Sequence, residues 1–142
     1  MKKIAIVYWS GTGNTEAMAK EIANGVKDVG GEVSIFTSYE FLADMVSNYD
    51  KIAFGCPSMG AEQLEESEFE PMFVSLERRL SGKEIALFGS YGWGDGQWMR
   101  DWQDRCDGVG AKVFGGEGLI INEAPDEEGL KKCRELGKTF AA

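Results

Sequence analysis

At 142 residues the chain is about one domain long, taking ~150 residues as a usual size. Its 43% apolar and 27% charged residues give the balance of a folded domain, not a disordered segment. The absence of histidine excludes Ser-His-Asp and Cys-His nucleophilic chemistry, and a formal net charge of −9 excludes a nucleic-acid partner, because phosphate contacts need clustered Lys and Arg.

In chain order, Ile4 to Trp9 is an unbroken apolar run rich in β-formers, which predicts a strand buried on both faces. It is also the longest such run and too short to cross a bilayer, so no membrane is expected as partner and the cytoplasm is the expected compartment. Ser10-Gly11-Thr12-Gly13-Asn14-Thr15 follows directly. Met18, Ile22, Val26 and Val29 then recur at helical steps until Gly30-Gly31 stops the helix, with Asn14 or Thr15 as its expected cap. Val33, Ile35 and Thr37 alternate as a second strand, and Phe41 to Val46 reads as a short helix.

Lys51 to Cys56 is another buried strand, ended by Pro57. Ser67-Glu68-Phe69-Glu70 has the form of a capping box opening a helix to Leu80, with Pro71 near its start. Glu84 to Tyr91 is a fourth strand. After the glycine-rich residues 92–96, Trp98, Trp102 and residues 105–107 fall on a helix, with both tryptophans expected in the core. Lys112 to Phe114 and Gly118 to Ile121 form a last strand broken at Gly115-Gly116, and Asp126 to Phe140 closes the chain as a helix. Strands alternating with helices over short loops predict an α/β fold: one parallel sheet with helices on both faces, in a single domain spanning residues 1–142. Cys56, Cys106 and Cys133 are odd in number and widely spaced, as reduced structural thiols are.

Ligands of such sheets bind beyond the carboxyl ends of the strands, where strand order reverses. Three loops leave those ends here. Ser10 to Thr15 combines hydroxyls and glycines at a helix start, where backbone N–H groups and the helix dipole favour an anion. It lacks the lysine and spacing of a Walker loop, and Glu16 stands where a dinucleotide fingerprint needs its third glycine. A phosphate monoester held by neutral donors fits best. The second loop, Ser58-Met59-Gly60-Ala61-Glu62, offers a polarizable thioether, a permissive glycine and an acceptor for a ring N–H. The third, Ser90-Tyr91-Gly92-Trp93, sets an indole between glycines, free to lie against a flat ring, whereas Trp9 reads as strand packing at the edge of the first loop.

The segments YWSGTGNT at 8–15, MGAE at 59–62, EESEFEP at 65–71, GSYGWGDG at 89–96 and NEAPDE at 122–127 closely resemble the short-chain flavodoxins of anaerobic bacteria. The resemblance implies a flavodoxin-like five-stranded sheet of order 2-1-3-4-5 and one non-covalent FMN. It assigns Ser10 to Thr15 to the FMN phosphate, Met59 to the inner flavin face and Trp93 to the outer. Gly60 would supply a peptide that flips on reduction, Glu62 would bond the ring N3–H, and Ser90, Tyr91 and Gly92 would offer backbone contacts to the pyrimidine edge. Pro57 and Ala61 depart from the pattern, standing where relatives carry a hydroxyl and an Asp or Asn.

The implied function is a low-potential one-electron carrier shuttling between semiquinone and hydroquinone. The alternatives are an FMN-dependent quinone or nitro reductase and a phosphate-binding regulatory module. Glu62, Glu65, Glu66, Glu68, Glu70 and Asp95 gather beside the expected ring with no cation in the loops. That charge disfavours anionic reduced flavin and suits redox partners with basic docking faces, reductases or ferredoxin-dependent enzymes, met by a monomer.

Overall fold

The computed structural model describes residues 2–142. Six strands and four helices follow in the order β1 Lys3–Tyr8, α1 Asn14–Asp28, β2 Glu32–Thr37, β3 Lys51–Gly55, α2 Phe69–Leu76, β4 Glu84–Tyr91, α3 Gln97–Gly108, β5 Lys112–Val113, β6 Leu119–Asn122 and α4 Glu127–Ala141. All strand pairs are parallel, in the order β2-β1-β3-β4-β5, with β6 also on β4. The expected fifth strand is thus one edge in two pieces. Lys112 and Val113 lie beside Glu84 and Ile85, while Leu119 to Asn122 lie beside Phe88 to Tyr91. A single 3₁₀ turn at Phe114–Gly116 separates them, where Gly115 and Gly116 take φ of +74° and +80°.

The unalternating strands are explained by the two cores. Val7, Ile52, Phe54, Ile85 and Leu87 face one side, packed against Phe69, Phe73, Trp98 and Trp102 of α2 and α3. Ile4, Ile6, Ala53, Ala86 and Phe88 face the other, against Met18, Ile22, Val26, Cys133 and Phe140 of α1 and α4. With water excluded from both faces, a polar residue at either parity would lose its hydrogen bonds. All three cysteines are buried and unpaired, and burial pushes the Cys106 and Cys133 thiols up to about 12, so they remain protonated and inert.

The helix ends repay comparison with their sequence signals. α1 stops as expected: the N–H groups of Gly30 and Gly31 turn back to Lys27 and Val26 carbonyls, with Gly30 at φ +81°. Its start differs, because Gly13 occupies the cap position at φ +97° and neither Asn14 nor Thr15 caps the helix with its side chain. The segment expected to be helical at 41–46 is a 3₁₀ turn at Ala43–Asn48, too short for α-helical hydrogen bonds to repay nucleation. The helix expected to reach Leu80 is α-helical only to Leu76 and finishes as a 3₁₀ turn.

The capping box at Ser67–Glu70 does not form. Glu65 does the work instead: its carboxylate accepts the N–H groups of Ser67, Glu68 and Phe69 at 2.9, 2.7 and 2.8 Å, together with the Ser67 hydroxyl. Glu70 points elsewhere, to Arg105 of α3 at 2.7 Å. One buried carboxylate satisfies three donors at once, which a hydroxyl cannot.

Candidate functional site

Strand order reverses between β1 and β3, whose ends stay joined by the Trp9 N–H donating to the Gly55 carbonyl at 3.0 Å. A cleft of about 250 Å³ opens beyond this point. Its floor is the first loop: Ser10, Gly11, Thr12, Asn14 and Thr15. The Ser10 hydroxyl accepts the N–H groups of Gly13 at 3.1 Å and Glu16 at 3.3 Å, folding the loop back on itself. The N–H groups of Gly11, Thr12, Asn14 and Thr15 have no acceptor among the described residues. A ring of unsatisfied donors at a helix start is an anion cradle, and no Lys or Arg lines it. That donor set fits the phosphate of FMN.

The cradle is tied to the opposite wall. Thr15 Oγ1 lies 3.1 Å from Ser90 Oγ, sharing one hydrogen bond, and accepts the Ser90 N–H at 3.4 Å; both residues are buried. Ser90, Tyr91 and Gly92 form that wall, and Ser58 and Met59 form a third. The Ser58 N–H donates to the Ser90 carbonyl, so the walls are joined by backbone.

The remaining expected positions sit at the rim. Met59 and Gln63 exchange both backbone hydrogen bonds, at 2.8 and 2.9 Å, and pinch Gly60, Ala61 and Glu62 into a tight turn. Gly60 takes φ +52° and Glu62 φ +54°, the left-handed region that costs a residue bearing a Cβ. Glu62 is held there by α3: its carboxylate accepts the Gln97 N–H at 3.1 Å, crossing so close to Gly94 that a Cβ on Gly94 would stand 2.4 Å from it. Trp93 is 63% exposed on the third loop and does not line the cleft wall.

Three lining residues were not among the expected site residues. Trp9, just past the end of β1, packs against the core as expected and also forms part of the cleft wall. Pro57 stands in the wall beside Ser58. Glu123 takes φ +60° because its N–H is drawn to the Tyr91 carbonyl at 2.8 Å, and this brings its carboxylate to the cleft. Its signal in the sequence is the NEAPDE segment at 122–127, which resembles the short-chain flavodoxins without an expected role at the site.

The acidic gathering is also reshaped. Glu65 is 6% exposed and spent on backbone. Glu70 and Glu77 clasp Arg105, and Asp95 pairs with Arg100 at 2.9 Å. Glu62, Glu66, Glu68 and Glu123 have no cationic partner among the described residues.

The family described as Flavodoxin matches residues 6–137. The chain belongs to the flavodoxin family. It is 49% identical to a flavodoxin of Megasphaera elsdenii, over 97% of this chain and 98% of that one, and 48% identical to one of Clostridium beijerinckii, over 96% and 97%. The solution structure of two-electron reduced Megasphaera elsdenii flavodoxin superposes with a TM-score of 0.88, covering 97% of this chain and 98% of that one. Flavodoxins are themselves a case by which the rule of binding at the switch point is illustrated. Family membership makes this flavodoxin an FMN-binding electron carrier, not an enzyme that converts a substrate. No helix among its described residues is long and apolar enough to cross a membrane, and as a carrier it serves redox partner proteins.

Proposed function

We propose that this flavodoxin is a low-potential, one-electron carrier whose FMN lies from the cradle at Ser10–Thr15 to the rim turn at Gly60–Glu62. When bound, FMN supplies the one-electron chemistry; the chain's residues hold and bias it. The partnerless N–H groups of the first loop carry this reading. They receive the phosphate, with the Ser10, Thr12 and Thr15 hydroxyls beside them. Met59 covers the inner ring face, and Trp93, with its exposed indole on a glycine-flanked loop, closes over the outer one. Ser90, Tyr91 and Gly92 meet the pyrimidine edge with their backbone. Glu62 accepts the ring N3–H with the oxygen that does not hold Gln97.

The low potential rests on the unpaired carboxylates of Glu62, Glu66, Glu68 and Glu123, which oppose an added negative charge. The same four carboxylates favour a redox partner with a basic docking face. The three buried thiols suit a reducing compartment, the cytoplasm, and a cleft completed by a single chain suits a monomer. Titration of the apoprotein with FMN and with riboflavin tests the cradle: FMN is expected to bind far more tightly, and equal affinities would refute the phosphate assignment.

A further inference from the structure

A second cleft, about 420 Å³, lies behind the first and shares Trp9 and Ser10 with it as a partition. Tyr8, Glu16, Thr37 and Glu68 complete its lining. Glu16 directly follows the cradle, in the first turn of α1. A carboxylate there is ordinarily favourable, because it meets the positive end of the helix. In this chain the same helix end must receive a phosphate, and no cation stands in the cradle to separate two anions. Swung toward the cradle, Glu16 would compete with the phosphate for the helix end and repel it.

The side chain is instead directed into the second cleft. Its Oε2 accepts the Tyr8 hydroxyl at 3.0 Å and lies 3.8 Å from the Lys20 ammonium, one turn further along α1. The Tyr8 hydroxyl has no other partner among the described residues. Lys20 is exposed, and an exposed ion pair at that separation is a weak restraint. The phenol therefore supplies the directional hold. Burial first, then the hydrogen bond to Glu16 and the charges of Glu16 and Glu40, raise the phenol above its ordinary range and keep it a donor.

We propose that Tyr8 is a positioning residue of the phosphate site: its hydroxyl holds the Glu16 carboxylate behind Trp9 and Ser10 and so keeps a negative charge out of the cradle. This rests on the cradle taking the FMN phosphate. Apoprotein of the wild type, Tyr8→Phe, Glu16→Gln and the double variant is titrated with FMN and with riboflavin, at low and high salt. Tyr8→Phe is expected to weaken FMN binding about three- to tenfold at low salt, less at high salt, and to leave riboflavin within about twofold. Glu16→Gln binds FMN at least as tightly as wild type, and adding it to Tyr8→Phe restores the lost affinity. A loss shared equally by riboflavin, or one that persists in the double variant, would overturn the proposal, since either marks Tyr8 as general packing. A wild type that does not prefer FMN to riboflavin would instead refute the cradle reading on which the proposal rests.

Discussion

Two buried polar residues hold the loops in place, Glu65 by satisfying donors within the next turn of chain and Thr15 by reaching Ser90, 75 residues away. Glu65 is the first. Burial pushes its carboxyl up, but the Ser67 hydroxyl and the N–H groups of Phe69, Glu68 and Ser67 outweigh that and hold it below the usual carboxylate range. A lowered folded value means that its stabilisation is complete above the unfolded value of 4.5 and is lost as pH falls below it toward the folded one. Glu65→Gln should cost about 1–3 kcal/mol at neutral pH, since both carboxylate oxygens accept here and an amide would set its NH2 donor against one of the two pairs of donors. The gap to wild type should narrow below pH 4.5; urea unfolding of both proteins at pH 7 and pH 4 checks it, and a pH-independent gap would refute the assignment. Thr15 is the second. Thr15→Val keeps the shape but leaves the buried Ser90 N–H and hydroxyl without their partner, at an expected cost of about 1–3 kcal/mol in apoprotein unfolding.

At the scale of elements, α1 and α4 cross with almost no space between backbones. A Cβ on Gly137 would stand 2.0 Å from the Ile22 carbonyl oxygen, and one on Gly25 would stand 2.0 Å from that of Arg134. Across the same contact Arg134 bonds Asp28 at 2.6 Å and lies 3.5 Å from Glu21. Gly137→Ala is therefore a contest between propensity and packing. Alanine gains about 1 kcal/mol within the helix, but separating two packed helices costs on the order of 1–3 kcal/mol. The variant should melt lower than wild type while its FMN affinity is unchanged, because the crossing is remote from the cleft. A raised melting temperature would show that the helices have room to spare. Among the strand elements, the two-piece edge beside β4 was legible as one strand with a glycine break, since Gly115 and Gly116 advertise it. Its place beside β4 follows from the implied order 2-1-3-4-5, whereas the residue register of its two pieces was not legible.

For the molecule as a whole, the field at the cofactor depends on where the charges stand and not on their sum alone. Glu123, unpaired at the cleft, and Glu70, paired with Arg105, make the dependence testable. Glu123 is unpaired at the cleft, so Glu123→Gln should raise the second, lower one-electron potential by roughly 20–40 mV at low salt, taking ~10 Å and an effective dielectric of ~40. High salt should shrink the shift. Glu70 and Glu77 share the single positive charge of Arg105, each at 2.7 Å. Glu70→Gln takes this cluster from a net charge of −1 to neutral, so it too should raise the potential, and it should also lower stability, because the half-buried guanidinium loses a partner. Spectroelectrochemical titration and urea unfolding of both variants, at two ionic strengths, separate the two effects. An unchanged potential in Glu123→Gln would mean that its carboxylate does not act on the ring.

Local information suffices wherever chemistry repeats along the chain. Unbroken apolar runs marked β1, β3 and β4 because both their faces are buried, and helical spacing marked α1 because one of its faces is. The hydroxyl-glycine loop at 10–15 was legible because an anion cradle needs only adjacent backbone donors. Contacts between distant residues were not. Ser67 and Glu70 have the local pattern of a cap, but Arg105, 35 residues on, draws Glu70 away, and the helix start is left to the carboxylate of Glu65. Trp9 and Glu123 became cleft residues through backbone hydrogen bonds to Gly55 and Tyr91, on neighbouring strands. A side chain's partner depends on which strands lie side by side, and pairing between parallel strands joins residues far apart in sequence.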